Sequence, residues 1–354
     1  MKYCALLFLF FVALSATAHD LPLSYVDLRI GPEGIDATVE SSAKNFAREL
    51  SGIDEAQLLD PSGVERQKGR LLASVESGLT ITANGTALQP QLRAIEALPG
   101  RRDLRLRFLF PAKGVETAIK VHCALFSADP RHRTFLNIYQ GGSLRYQGIF
   151  DKNTAQIDYS TGVEQKTITV VRQFLFEGIH HIFIGPDHIL FIIGLLLLGG
   201  TVGQLLRVVT AFTIAHSITL VLATLNILSP PARVIEPAIA LSIIFVGAHA
   251  LLQGRDQRDW RLLFAFGFGF VHGFGFANVL RAMDLPRAAL GWSLFSFNVG
   301  VEIGQACIVL AVAPLLALLY RRSPVMAGRV VAAGSFCVIF AGSFWFVERL
   351  FPAS

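Results

Sequence analysis

The chain has 354 residues, a formal net charge of +5 and 53% hydrophobic residues. Its mean hydropathy of +0.52 is too high for a soluble protein of this size. The basic residues are scattered singly and form no stripe, which excludes the electrostatic footprint of a nucleic-acid-binding protein. Every lysine lies at or before Lys166, so the second part of the chain has arginine as its only strongly basic residue. This composition predicts two domains of different character.

Residues 1–18 have the pattern of a secretory signal peptide. Lys2 supplies the positive start, residues 5–14 are apolar, and Ala16-Thr17-Ala18 is a small-residue cleavage site. The apolar run is short for a membrane span, which favours cleavage over an uncleaved anchor. Cleavage would leave His19 at the mature N-terminus and would place the following domain outside the cytoplasm.

Residues 19–168 are predicted to form an exported, β-rich domain. Residues 104–110 and 118–126 alternate apolar and polar side chains over part of their length, as half-buried strands do. Asn84-Gly85 and Gly141-Gly142 are typical of tight hairpin turns. Together with a short helix around 42–50, these signals predict a β-sandwich of the immunoglobulin-like kind. No catalytic constellation is present in this part of the sequence.

Residues 169–354 are predicted to form an all-α bundle of six membrane-spanning helices. Each of six apolar segments is long enough to cross a bilayer of ~30 Å. The segments are 174–199, 204–226, 233–253, 261–281, 290–319 and 326–348. An exported N-terminal domain makes the first helix run from outside to inside. Seven arginines then fall in inner loops and five, Arg349 among them, in outer ones, which agrees weakly with this orientation.

The first apolar segment contains an unusual set of polar side chains. These residues are Glu177, His180, His181, Asp187 and His188. On one continuous helix His181 and His188 share a face two turns apart, Glu177 shares that face, and His180 and Asp187 form an adjacent stripe. Ionisable groups are costly in hydrocarbon, so a functional role is favoured over helix packing by interhelical hydrogen bonds.

The types of these side chains favour a metal ion. Imidazole and carboxylate together suit a divalent first-row metal such as nickel, cobalt or zinc. Asp187 has an alternative role as the outer partner that orients a histidine. Gly185-Pro186 should loosen the helix between the two levels of polar residues.

Later segments add further intramembrane polar residues. His216 is as consistent with interhelical hydrogen bonding as with metal ligation. His272 lies beside a small-xxx-small face formed by glycines and should point at a neighbouring helix. Asn298 and Glu302 lie on one face of the fifth segment, together with Gln305, and this stripe must meet protein or water. His249, near an inner helix end, is favoured as an interfacial residue over a role in ion release.

The stretch His181-Ile-Phe-Ile-Gly-Pro-Asp-His188 resembles the H-P-x-x-G-x-D-H signature of the HupE/UreJ family of nickel and cobalt permeases. The resemblance covers about residues 170–350, and the whole chain is similar to the branch in which an exported domain precedes six helices. Ile182 stands where the signature has proline, and His180 is an additional histidine. The resemblance implies His181, Asp187 and His188 as metal ligands, with His216 and His272 as candidates. Glu177, His180, Asn298 and Glu302 are secondary candidates.

The leading hypothesis is therefore a non-enzymatic permease that moves Ni²⁺ or Co²⁺, or else Zn²⁺ or a copper ion, across a bacterial cytoplasmic membrane. It has no permanent cofactor, and its partners are the lipid bilayer, the ion and an accessory protein on the periplasmic side. One alternative is a haem or electron-transfer protein with histidines as axial ligands. Another is a membrane scaffold for metalloenzyme maturation. An intramembrane metalloprotease is disfavoured because H-E-x-x-H is absent.

Overall fold

The computed structural model describes residues 22–112, 118–162, 165–225, 227–228, 230–252, 259–282 and 287–351, without the side chains of 276–282 and 287–290. The predicted signal peptide lies outside the described residues. The chain divides into two compact units. Leu21–Val170 make up most of a β-rich unit, and Val171–Asn278 with Trp292–Ser354 make up most of a helical unit.

The described part of the β-rich unit contains ten strands. They are β1 (Leu23–Gly31), β2 (Gly34–Ser42), β3 (Leu79–Ala83), β4 (Thr86–Ala87), β5 (Gln91–Leu98), β6 (Asp103–Pro111), β7 (Ala118–Cys123), β8 (Arg133–Gln140), β9 (Ser143–Phe150) and β10 (Gln156–Ser160). Strands β6 and β7 confirm the two alternating segments. Both predicted hairpins are also confirmed, because Asn84, Gly85, Gly141 and Gly142 all have positive φ angles between paired strands.

The strands form a six-stranded sheet in the order β5-β6-β2-β1-β8-β9 and a four-stranded sheet in the order β10-β7-β3-β4. Pairing is antiparallel except between β1 and β8, which run parallel with Leu23 opposite Arg133. One apolar core contains side chains from both sheets, for example Val26 and Phe108 from the first sheet and Ile81 and Val121 from the second. Two sheets therefore share a core, as predicted, but the parallel pair and the strand order differ from an immunoglobulin-like sandwich.

Three helices also belong to this unit: α1 (Ala43–Glu49), α2 (Glu55–Leu59) and α3 (Pro61–Gly78). Helix α1 confirms the predicted short helix, and its N-cap Ser42 accepts the backbone N–H of Asn45. Helix α3 is absent from the sequence prediction, although Asp60 caps it and Pro61 occupies its first turn. Its buried Val64, Leu71, Val75 and Gly78 share one helical face, but few of the other residues are apolar, which explains the omission.

The helical unit contains seven helices among its described residues. They are α4 (Thr167–Ile184), α5 (Pro186–Leu197), α6 (Val202–Thr224), α7 (Ala232–Leu252), α8 (Arg261–Ala282), α9 (Arg287–Arg322) and α10 (Pro324–Leu350). In the described part of the chain, four helices (α6, α7, α9 and α10) are long and apolar enough to cross a membrane, and α4 with α5 makes a fifth if that bent pair counts as one span. Within α8, Arg261–Gly275 is a shorter apolar helix.

Large apolar side chains point outward from this unit. Phe336, Phe340 and Phe344 on α10 are more than half exposed, as expected of a surface that faces lipid rather than water. The apolar core of this unit is formed by side chains from α5, α6, α7, α8 and α10, including Phe191, Phe212 and Trp345. The apolar outer surface and apolar helices together indicate a membrane protein.

Glycines allow several pairs of helices to pack with their backbones in contact. A methyl group added to Gly300 of α9 would lie 2.1 Å from the Leu175 carbonyl oxygen of α4. Similar additions to Gly269 and Gly273 of α8 would lie 2.5 Å from backbone oxygens of α6. The second result confirms the predicted small-xxx-small packing face. These close approaches determine how near the polar side chains on α4, α6, α8 and α9 lie to one another.

Candidate metal centre

The predicted first span is two helices rather than one. Helix α4 ends at Ile184, Gly185 is extended at φ −85° and ψ 98°, and α5 begins with Pro186 at a bend of 71°. Proline has no backbone N–H and fits the first turn of a helix, so the Gly-Pro pair both ends α4 and begins α5. The predicted loosening is confirmed, whereas the stripes drawn on a continuous helix are wrong.

The bend brings two histidines together. On a straight helix, seven residues separate two side chains by ~10.5 Å along the axis. In the structure the ring centroids of His181, on α4, and His188, on α5, are only 4.6 Å apart. Both residues are buried, at 5% and 3% exposure. The two histidines of the motif are therefore brought together by the break in the helix rather than by helical periodicity.

A third histidine completes the cluster. His216 on α6 is 1% exposed, and one ligand atom from each of His181, His188 and His216 lies within 4.8 Å of the others. Among the described residues, neither ring nitrogen of His216 forms a hydrogen bond of good geometry, and Asn298 lies beside the ring. Buried polar groups are normally paired, so nitrogens in this state are suited to receive a ligand. We call His181, His188 and His216 the histidine cluster.

His272 adjoins this cluster from α8. Its ring lies 5.4 Å from that of His188, and its Nε2 is 3.0 Å from the hydroxyl of Ser242 on α7. The side chain therefore points at neighbouring helices, as predicted. Phe191 and Phe212 each lie 5.1 Å from the His272 ring and give that side of the site an apolar wall.

Asp187 is 1% exposed and lies at the start of α5 next to the cluster. One carboxylate oxygen, Oδ1, accepts the His188 backbone N–H at 3.1 Å and lies 3.5 Å from His188 Nδ1. The other, Oδ2, accepts a hydrogen bond from Arg349 at 3.3 Å. The sequence placed Arg349 in an outer loop, which is wrong: it belongs to the last turn of α10 and its side chain is 4% exposed. An arginine near the end of an apolar segment is expected to face the membrane surface. The sequence therefore offered no indication of the contact between Arg349 and Asp187.

The polar stripe on α9 faces α6. Glu302 accepts a hydrogen bond from the hydroxyl of Thr210, and Gln305 accepts one from Thr213 at 3.0 Å. Asn298 donates to the Leu294 carbonyl at 2.9 Å. The stripe meets protein, as predicted, and Asn298 lies beside the His216 ring.

Glu177, His180 and His249 also lie outside the histidine cluster. Glu177 and His180 are half-buried on α4, and their ligand atoms are not among those that meet in the histidine cluster. His249, on α7, stacks on Phe245 with ring centroids 5.9 Å apart and lies 5.3 Å from Phe264. His249 therefore has an aromatic environment separate from the cluster.

A cavity of about 580 Å³ opens at another place in the helical unit. It is bounded by the ends of α5 and α9 and contains Asp259, Arg261 and the Gly199 backbone. Arg261 forms two hydrogen bonds with Asp259, at 2.9 and 2.8 Å, and a third with the Gly199 carbonyl. These contacts use three of the five N–H donors of the guanidinium, and the described residues that line the cavity include no histidine.

The arrangement was compared with known protein families. The family model described as "HupE / UreJ protein" matches residues 158–349, which is more than half of the chain and contains the histidine cluster. The chain belongs to the HupE/UreJ family. Comparison with curated proteins finds no match. HupE/UreJ proteins are associated with nickel and cobalt transport or with urease and hydrogenase maturation, and they are not a known enzyme family.

Proposed function

We propose that this protein is a permease that moves a divalent transition-metal ion, Ni²⁺ or Co²⁺, through the helical unit by way of the histidine cluster. The observation that carries the proposal is the meeting of three buried imidazoles from α4, α5 and α6 within 4.8 Å. Family membership supports a role in nickel or cobalt handling, and the three imidazoles are ligands of the kind that these ions prefer.

The cluster has nearly the dimensions that a metal ion requires. A transition-metal ion lies ~2.1 Å from each imidazole nitrogen, so two ligand nitrogens are at most about 4.2 Å apart. The ligand atoms of the cluster, within 4.8 Å of one another, would need to move by less than about 1 Å. Side-chain rotation alone can supply a movement of that size.

The donor set favours borderline ions over hard ones. Imidazole suits nickel, cobalt, zinc and copper ions, whereas Mg²⁺ and Ca²⁺ require sets of oxygen ligands. The apolar wall of Phe191 and Phe212 excludes water, which strengthens the attraction between the ion and the imidazole nitrogens. An ion in transit must also leave, so three ligands with His272 nearby suit transport better than a closed four-ligand structural site.

The membrane arrangement is part of the same proposal. We propose six spans, with α4 and α5 together as the first and α8 as the fourth, in a bacterial cytoplasmic membrane. Residues 1–18 act as the cleaved signal and residues 19–168 form a periplasmic domain. That domain hands over the ion or docks an accessory protein. Entry from this side makes the direction of transport inward.

Metal uptake into proteoliposomes tests the permease function. Nickel, cobalt, zinc and copper ions are compared for the wild type, His188→Ala and His216→Ala. The control is His249→Ala, which removes an imidazole from the same unit but outside the cluster. We expect saturable uptake of Ni²⁺ or Co²⁺ by the wild type and the control, and a reduction of at least about tenfold in each cluster variant.

Three results would contradict the proposal. Absence of uptake by folded wild-type protein would favour the maturation-scaffold role, and a visible absorption band in the purified protein would favour the haem alternative. Equal loss of uptake in His249→Ala and His216→Ala would show that any intramembrane histidine matters, and the cluster would then not be the transport site.

A further inference from the structure

Arg349 brings a positive charge to the edge of the histidine cluster. Its Nη2 donates to Asp187 Oδ2 at 3.3 Å and its Nη1 donates to the Glu236 carbonyl at 2.9 Å. The guanidinium also lies 5.9 Å from the centre of the Trp345 ring. One side chain on α10 thereby contacts α5 and α7 at the point where α5 begins.

These contacts leave Asp187 poorly placed to bind an ion. Oδ2 is held by the guanidinium, and Oδ1 is engaged by the backbone N–H of His188. Asp187 is also absent from the group of ligand atoms that meet within 4.8 Å. A carboxylate beside Nδ1 of a histidine favours the tautomer that carries the proton there and leaves Nε2 as the ligand.

We infer that Arg349 is a positioning residue that keeps Asp187 out of the coordination shell, so that Asp187 orients His188 and the ion meets imidazole ligands only. This inference rests on the proposed function and specifies its ligand set. It assigns to Asp187 the orienting role rather than the ligand role that the family resemblance implies. It also predicts weaker binding than a site containing a carboxylate, because the charge of Asp187 is already balanced by Arg349.

A purely structural role for the ion pair makes a different prediction. If Arg349 only joins α5, α7 and α10, its replacement lowers stability without changing which atoms coordinate the ion. The coordination shell must therefore be measured directly. The ligand-field absorption of bound Co²⁺ reports the number, type and geometry of its ligands.

The experiment titrates purified full-length protein with Co²⁺ and records affinity and spectrum for four variants: Asp187→Asn, Arg349→Gln, the double variant carrying both changes, and Arg329→Gln. Arg329 is exposed on the same helix and serves as the control. The double variant is included because removing one partner of a buried ion pair destabilises a fold, whereas replacing both is better tolerated.

We expect Asp187→Asn and the double variant to keep the wild-type spectrum, with Asp187→Asn binding about 10–100-fold more weakly. Arg349→Gln should change the spectrum because the released carboxylate enters the shell. A spectrum that changes in the double variant would make Asp187 a ligand and overturn the inference. Unchanged affinity and spectrum in all variants would also overturn it, in favour of a structural role. Failure of wild-type protein to bind Co²⁺ or Ni²⁺ would instead refute the proposed function.

Discussion

Gly185 offers the sharpest test of the histidine cluster because its replacement should move one ring without disturbing the fold. A methyl group added at this position would lie 2.6 Å from Nδ1 of His188, 3.1 Å from the His181 carbonyl oxygen and 3.4 Å from Asp187 Oδ1. The backbone angles at Gly185, φ −85° and ψ 98°, lie at the edge of the β region that alanine also adopts. Gly185→Ala therefore acts on the site more than on the chain path.

The size of the effect follows from the contact distance. Ordinary contact between non-bonded heavy atoms begins near ~3.5 Å, so the His188 ring, 2.6 Å from the new methyl group, must withdraw by about 1 Å. The methyl group also restricts the rotation of the ring that ion binding requires, because metal–ligand distances must be met to within about 0.2 Å. We expect the affinity for Ni²⁺ or Co²⁺ to fall about 10–100-fold, equivalent to about 1.4–2.8 kcal/mol.

The assay is calorimetric titration of the purified protein with Ni²⁺ and Co²⁺, accompanied by a thermal unfolding curve. Gly203→Ala is the control, since Gly203 lies in the apolar helix α6 and a methyl group there would meet nothing within 4 Å. Affinity within about twofold of wild type in a folded Gly185→Ala variant would show that the ring position of His188 does not determine binding. The assignment of the cluster would then be wrong.

Three further predictions concern other parts of the molecule. Burial lowers the pKa of His132 from 6.5 to about 4. The free energy of unfolding of the β-rich unit should therefore fall by up to about 3 kcal/mol as the pH falls between these values. Hydrogen exchange in β8 of the intact protein measures this loss, which His132→Gln should remove. Gly300→Ala should cost about 1–3 kcal/mol in thermal unfolding, because the added methyl group would lie 2.1 Å from the Leu175 carbonyl oxygen. Ser242→Ala should weaken metal binding about tenfold, because the released His272 ring would no longer hold the adjacent His188 ring in place.

Each of these has a matched control within the chain. For His132, the control is His122→Gln at an exposed histidine, which should leave the acid sensitivity unchanged. For Gly300, the control is Gly328→Ala, whose methyl group would enter open space. For Ser242, the control is Ser335→Ala, which removes another buried serine hydroxyl. Acid sensitivity that persists in His132→Gln would refute the argument for His132. An unchanged unfolding temperature in Gly300→Ala would refute the argument for Gly300, and equal metal binding by the two serine variants would refute the argument for Ser242.

Much of the fold could be predicted because local rules govern it. Long apolar runs predict helices, since the backbone must satisfy its hydrogen bonds internally in hydrocarbon. The bounds of α6, α7 and α10 lie within two residues of the predicted segments. Asn84-Gly85 and Gly141-Gly142 predict their turns because glycine and asparagine accept positive φ angles. Helix α3 was missed because few of its residues are apolar, although the buried ones share one helical face.

The sequence by itself determined which side chains carry chemistry: histidines and carboxylates are rare in apolar helices, so His181, His188 and His216 stand out without any structure. Only the tertiary structure decided how they meet. The 71° bend at Gly185 brings together rings that a continuous helix would separate, and the glycine contacts of α8 and α9 decide which helices lie beside them. The pairing of Arg349 with Asp187 joins residues 162 positions apart, and local sequence cannot encode which distant helix supplies a partner. That choice arises from packing, in which each buried charge must find its partner across helix interfaces.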